Sequence, residues 1–163
     1  MIRPYRSGDR QAVIGIFSGF VRELAPPQLE SQFEVYIDTA IREELARIED
    51  YYGDSFWVAE EDGVVVGMAG IERHHDAAEL RRMAVAPTHR RRGLARQLLE
   101  TAETFARRAG YAKIVLSTSE LQAPAMRLYE SSAYRLVRTE VADTPSHKTP
   151  GAGLKRYFFE KLL

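Results

Sequence analysis

One stretch limits the folds open to this chain more than any other. Glu79 to Val85 reads as a strand, Ala86-Pro87 stops it, and the basic run Arg90-Arg91-Arg92 follows. After Gly93, the residues Leu94, Leu98, Leu99, Ala102, Phe105, Ala106 and Ala109 recur at helical spacing. A strand does not run on through such a proline, and the 3.6-residue period buries one face of a helix. Strand, basic loop and helix must therefore follow one another. Gly110 closes the helix and Ala112 to Ser117 reads as a buried strand, which makes a strand-helix-strand crossover.

The flanks add hairpins and further helices. Ile2 to Tyr5 is a short strand, and Ser7-Gly8-Asp9 supplies turn and cap chemistry for a helix carrying Ala12, Val13, Ile16, Phe17, Phe20, Val21 and Leu24. Pro26-Pro27 ends that helix. A second helical pattern spans Leu29 to Tyr52, with Phe33, Ile37, Ile41, Leu45, Ile48 and Tyr52 on one stripe, acidic residues opposite, and Gly53 closing it. Ser55 to Ala59 and Val64 to Ile71 form a hairpin across Glu61-Asp62-Gly63. A shorter helix starts near Pro124 and carries Ala125, Leu128 and Tyr129. Tyr134 to Val141 is strand-like, Asp143 to Gly153 is a loop, and Leu154 to Leu163 is a final strand. The order is mixed α/β.

At 163 residues the chain has the size of one domain, and 45% apolar residues are enough for one core. With no cysteine there is no disulfide, no thiolate metal site and no cysteine nucleophile. The longest apolar run, Val64 to Ile71, is too short to span a bilayer, and the N-terminus lacks a secretory apolar region, so a cytoplasmic address without membrane contact is expected. The 23 basic and 23 acidic residues cancel, which argues against a nucleic-acid coat. The two halves differ, however: residues 1–80 hold 7 basic and 16 acidic residues, and residues 81–163 hold 16 and 7. That asymmetry suits an anionic ligand on the basic half and a cationic amine beside the acidic helices.

The chemistry concentrates where the basic loop enters the helix. A helix N-terminus presents unpaired N–H groups and a partial positive charge, so Gly93 and Ala95, both small, leave a cradle for a phosphate or diphosphate. Arginine beside it adds charge-assisted bonds. Neither the P-loop pattern nor Gly-x-Gly-x-x-Gly is present. Read locally, the arginines could equally be a solvated surface run.

Arg90-x-x-Gly93-x-Ala95, preceded by Val85-Ala86-Pro87, resembles the coenzyme A signature of the GCN5-related N-acetyltransferases (GNAT). Downstream, Ser119-Glu120-Leu121-Gln122-x-x-Ala125-x-x-Leu128-Tyr129-Glu130-x-x-Ala133-Tyr134 resembles the same family's Asn-x-x-Ala-x-x-Leu-Tyr-x-x-x-Gly-Phe segment. Gln122 stands where asparagine is usual and Ala133 where glycine is. The resemblance implies a mixed, mostly antiparallel twisted sheet flanked by helices with a splayed central strand pair, formed by residues 1–163 as a single acyl-CoA N-acyltransferase domain. It implies acetyl-CoA as cosubstrate and a small-molecule or peptide amine as acceptor. Partnering through the last strands is common in such proteins, which leaves a homodimer open.

Residue by residue, the resemblance assigns the pantetheine arm to the backbone of Met83, Ala84 and Val85, with a β-bulge near Ala84 aiming an N–H at the thioester oxygen. It assigns the diphosphate to Arg90 and to the backbone of Arg91, Arg92, Gly93, Leu94, Ala95 and Arg96, with Gln122 as a further cofactor contact. Direct attack by an amine in a ternary complex needs no covalent intermediate but does need proton handling. Tyr129 matches the family's general acid for the departing thiolate, against the plainer role of a core aromatic. Glu79 is the candidate base, with Glu72 or water-mediated contacts as rivals. Adjacent strand residues point to opposite faces, so His74-His75 reads as loop and no metal site is expected. His89 reads as a solvated loop residue, and Phe56, Trp57 and Val64 to Val66 as core. A non-catalytic acyl-CoA-binding module and a basic-patch nucleic-acid binder are the competing readings; the latter explains only the arginines.

Overall fold

The computed structural model describes residues Met1–Leu163. Strand β1 (Ile2–Pro4) leads through a single turn, Ser7–Asp9, into helix α1 (Arg10–Leu24). Asp9 fixes that entry: its carboxylate accepts the Arg6 N–H at 2.8 Å and two guanidinium bonds from Arg3 at 2.8 and 2.9 Å. Ala25 leaves the helix in extended conformation, as the following Pro26 requires.

The Leu29 to Tyr52 pattern is not one helix. It divides into α2 (Glu30–Glu43), a turn over Leu45–Arg47, and α3 (Ile48–Tyr52). The break falls at Glu44, whose N–H still bonds the Ala40 carbonyl at 3.1 Å but whose φ of −137° ends the helix there. Its side chain is fully buried beside Arg81 and Arg82 instead of lying on the acidic outer face. Leu45, Ile48 and Tyr52 stay buried across the break, so the apolar stripe continues while the hydrogen-bond ladder does not.

Strands β2 (Phe56–Glu61) and β3 (Val64–Arg73) form the expected hairpin, turning through Asp62 and Gly63 with φ of 51° and 77°. Two consecutive left-handed residues match the twist of the paired strands. The remaining elements are β4 (Ala78–Val85), α4 (Leu94–Arg108), β5 (Lys113–Ser119), α5 (Ala123–Ser131), β6 (Arg135–Ala142) and β7 (Leu154–Leu162). Ala109, expected on the inner face of α4, lies beyond its end and is exposed. Glu103 occupies the inner face, accepting bonds from the Tyr134 hydroxyl at 3.0 Å and the Lys161 ammonium at 3.1 Å.

The strands form one sheet in the order β1-β2-β3-β4-β5-β7-β6. All neighbours are antiparallel except β4 and β5. Period-two alternation sends Phe56 and Val58 to the face covered by α1, α2 and α3, and Trp57 and Ala59 to the face covered by α4 and α5. Both faces are therefore packed. No helix is long and apolar enough to cross a membrane.

Candidate active site

The parallel pair β4 and β5 meets only at Ala78 with Ile114 and Glu79 with Val115. Beyond that point β4 runs on to Val85 with β3 alone, while β5 turns to β7 along Lys113–Ser119. The strands part, and a cleft opens in the gap. Counting its open mouth it encloses about 990 Å³, with Leu80 to Ala84 on one wall and Ser117, Thr118 and Ser119 on the other.

Four sequence-expected residues, Gln122 among them, meet in this cleft. Met83 and Ala84 line it from β4, and Tyr129 lines it from α5. The bulge expected near Ala84 lies just before it. Met68 faces Ala84 and Gly70 faces Arg81, so Arg82 and Met83 together oppose Ala69. Arg82 takes a φ of 57° there, which turns the strand. Val85 offers its carbonyl to the gap, where it accepts the Arg90 Nε–H at 3.0 Å.

Tyr129 is only 6% exposed and packs against Tyr134 and Phe159, with ring centroids 5.8 and 6.1 Å away. Burial pushes its pKa well above the ordinary tyrosine value, so the hydroxyl keeps its proton. Gln122 also lines the cleft, but its carbonyl oxygen is committed to the β5–α5 turn, accepting Thr118 Oγ1–H at 2.6 Å and the Ser119 N–H at 3.1 Å. Its amide N–H₂ is left for a ligand.

The loop after β4 follows the cleft wall past Val85 and contributes no residue to the lining. Arg91 and Gly93 both adopt positive φ, 63° and 82°, and Gly93 begins α4 with no side-chain cap. Glycine is required at 93 for its backbone angle rather than for space, because the nearest atom to a Cβ there would be 4.0 Å away. The uncapped first turn leaves the N–H groups of Leu94, Ala95 and Arg96 without helical acceptors, which fits an anion. Around it, Arg92 reaches Glu61 at 3.3 Å and Arg96 reaches Ser131 and Ser132 at 3.4 Å. Arg90 is held by Glu23 of α1. His89 lies 2.7 Å from Thr88 Oγ1 and 3.4 Å from Glu61.

Glu79 and Glu72 do not line the cleft. They face each other across β3 and β4 in one cluster with His74, Arg81 and Lys148. His74 Nε2 lies 2.7 Å from Glu79, and the Lys148 ammonium lies 3.2 Å from Glu79 and 3.3 Å from Glu72. His74 is thus not an isolated loop histidine: Glu72, His74 and Glu79 could together offer ligand atoms to a metal ion, although Lys148 already neutralises the carboxylates. Spacing along one strand hid this, because the third partner comes from the neighbouring strand. Phe56 and Trp57 are core, as expected.

The expectation of acidic residues around an amine is overturned. No Asp or Glu lines the cleft, whereas Arg81, Arg82, Lys148 and Arg156 do. The carboxylates of α1 and α2 face outward or are already paired, as in Arg22 with Glu34 at 2.8 Å. Glu44, behind the wall, binds both Arg81 and Arg82. Arg82 also donates to the Tyr36 hydroxyl at 2.7 Å and to the His147 carbonyl, which joins α2, β4 and the 143–153 loop. Sequence reasoning missed this network. The signal available was two consecutive arginines in the middle of a strand whose other residues, Glu79 apart, are apolar.

Comparison with known proteins bears on this arrangement. The model of the acetyltransferase (GNAT) family matches residues 20–134. An N-acetylaspartate synthetase of Danio rerio is 36% identical over 134 residues, covering 77% of this chain and 46% of the relative. The chain therefore spans about half the length of that protein. N-acetyltransferase 8B of Homo sapiens is 28% identical, with 82% and 83% of the two chains covered. Among solved structures, the PaiA N-acetyltransferase of Thermoplasma acidophilum in complex with coenzyme A superposes with a TM-score of 0.76, at 17% identity and with 100% and 98% of the chains covered.

Proposed function

The chain belongs to the acetyltransferase (GNAT) family, and we propose that residues 1–163 act as a single N-acetyltransferase domain, moving an acetyl group from acetyl-CoA to a primary amine. The observation that carries this reading is the splay. The β4 wall of the gap leads on in sequence to the uncapped, arginine-flanked start of α4, and buried Tyr129 lines the gap itself. A diphosphate and a thiol at opposite ends of one extended ligand match those two features.

Bound acetyl-CoA supplies an activated thioester, whose carbonyl carbon the amine nitrogen attacks as the carbon–sulfur bond breaks. The chain's own residues bind, orient and move protons. The N–H groups of Leu94, Ala95 and Arg96, with the Arg90 guanidinium, hold the diphosphate. The backbone of Met83 and Val85 extends the sheet by one pseudo-strand, and the Val85 carbonyl, with two lone pairs, can serve a ligand N–H while keeping Arg90. A backbone N–H freed at the Arg82–Met83 bulge polarises the thioester oxygen. Tyr129 gives its proton to the leaving sulfur. Glu79, set behind Lys148, takes the amine's proton through water.

The test is incubation with acetyl-CoA and a panel of amines, followed by mass spectrometry of the amines. Gain of one acetyl group on nitrogen is expected. Binding of acetyl-CoA, seen as a raised melting temperature, without any acetylated product would instead establish a non-catalytic acyl-CoA-binding module.

A further inference from the structure

Among the cations lining the cleft, Arg156 is the one without a counter-ion. Arg81 and Arg82 share Glu44, Arg81 also holds Glu72 at 2.6 Å, and Lys148 lies between Glu72 and Glu79. Arg156, on β7 opposite Ser119 of β5, donates only to Ser117 Oγ at 2.7 Å. Glu140 stands across from it on β6 but pairs with Arg138 at 2.9 Å. Tyr36 and Glu79 are the other titratable groups near it, with Arg81 a like charge.

A half-buried guanidinium stripped of water and given no anion is costly, and burial pulls its pKa below the ordinary arginine value. It nevertheless keeps its charge, because arginine's unperturbed value is so high. Strand alternation fixes where that charge lies. Tyr157 and Phe159 pack with Tyr129 on the α4 and α5 side, so Arg156 and Phe158 face the α1 and α2 side. Arg156 and Tyr129 thus border the cleft from opposite faces of the sheet. On that side of the sheet the cleft lining includes the apolar side chains of Phe17, Phe33 and Leu154.

We propose that Arg156 binds a carboxylate of the acceptor, so that the acceptor is a small amine which also carries a carboxylate, such as a free amino acid. The carboxylate takes the place of the missing counter-ion in a bidentate or Ser117-assisted pair, the apolar wall takes the side chain, and the amino group points into the splay. This rests on the acetyl-transfer reading above and adds the class of acceptor to it.

The experiment compares matched acceptors, phenylalanine against phenylalaninamide and glutamate against its diamide, with the wild-type protein, Arg156→Gln and Arg156→Lys. The wild type should favour each free acid in kcat/KM by on the order of 10–100-fold, the value of a charge-assisted pair. Arg156→Gln should collapse that preference toward unity by raising the acceptor KM, and Arg156→Lys should restore part of it. Equal use of acids and amides by the wild type would overturn the assignment, as would an Arg156→Gln effect falling on the acetyl-CoA KM. If no amine is acetylated, the acetyl-transfer reading fails by itself. The Arg156 assignment is then read from thermal shifts with coenzyme A present: stabilisation by the free acids, lost in Arg156→Gln, supports it, and identical shifts in the two proteins refute it.

Discussion

Glu23 on α1 holds Arg90, five residues past the end of β4, through two parallel bonds, Nη1 to Oε1 at 2.7 Å and Nη2 to Oε2 at 2.9 Å. The arginine expected to hold a diphosphate is thus occupied by a carboxylate that competes for the same two donors. Replacing Glu23 with Gln should tighten acetyl-CoA binding severalfold, and Arg90→Ala should weaken it by about tenfold or more. Both effects should shrink with added salt, since the pair is solvent-exposed. Titration calorimetry at two ionic strengths measures this; weaker binding in Glu23→Gln would remove the competition.

Tyr129 should separate catalysis from binding. Tyr129→Phe keeps the ring contacts with Tyr134 and Phe159 and removes only the hydroxyl. A loss in kcat of about 10²-fold or more is expected, typical for a positioned acid, with acetyl-CoA affinity nearly unchanged. Because burial raises its pKa, Tyr129 stays protonated through pH 10, and no alkaline decline in rate below that pH should come from it. An alkaline limb below pH 10 that vanishes in Tyr129→Phe would contradict this.

Glu79 is expected to show a pH signature that a structural carboxylate would lack. An alkylammonium acceptor has a pKa near ~10.4 in water, so a base matters most near neutrality. Glu79→Gln should therefore lower kcat/KM at pH 7 and lose most of its deficit by pH 10, where much of the acceptor is already neutral. A deficit constant with pH would point to lost positioning of His74 and Lys148 instead.

Much of this architecture was legible in the sequence because it rests on local signals. Pro87 and Gly93 bracket the loop before α4, and the glycine is needed for its left-handed angle. Glu61-Asp62-Gly63 names its hairpin, and the apolar periods locate α1, α4 and α5 and the buried stripe, though not the break, of α2 and α3. What escaped depends on partners distant in sequence. Glu44 looks like another outer-face acid within a continuous stripe until Arg81 and Arg82, more than thirty residues later, are seen to need it. The cleft's charge escaped for the same reason: half-chain totals count the carboxylates of α1 and α2, which face away or are paired, and miss that Arg156 has no counter-ion.

Glu44 also predicts how the protein loses stability in acid. Burial alone would raise its pKa, but the charges of Arg82 and Arg81 and the Tyr52 hydroxyl outweigh it and hold the carboxyl below its ordinary value. A carboxyl with a lowered folded pKa stabilises fully above its unfolded value of ~4.3, and that contribution is lost as pH falls through the folded value. Glu44→Gln should lower the melting temperature at pH 7 and flatten its decline below about pH 4. Glu44→Ala, leaving buried Arg82 without a counter-ion and Arg81 with Glu72 alone, should cost about 3–5 kcal/mol by chemical denaturation. A melting temperature within a degree of wild type in both variants would remove the network from the account.

The central claim is acetyl transfer in the splay between β4 and β5, and the absence of cysteine makes it directly measurable, since the protein adds no thiol of its own. A thiol-reactive dye can follow release of coenzyme A from acetyl-CoA as free amino acids and simple amines are added. The account predicts release that depends on both acceptor and enzyme concentration, matches acetylated product one for one, and falls sharply in Tyr129→Phe. Release that is independent of any acceptor, or is unchanged in Tyr129→Phe, would contradict it.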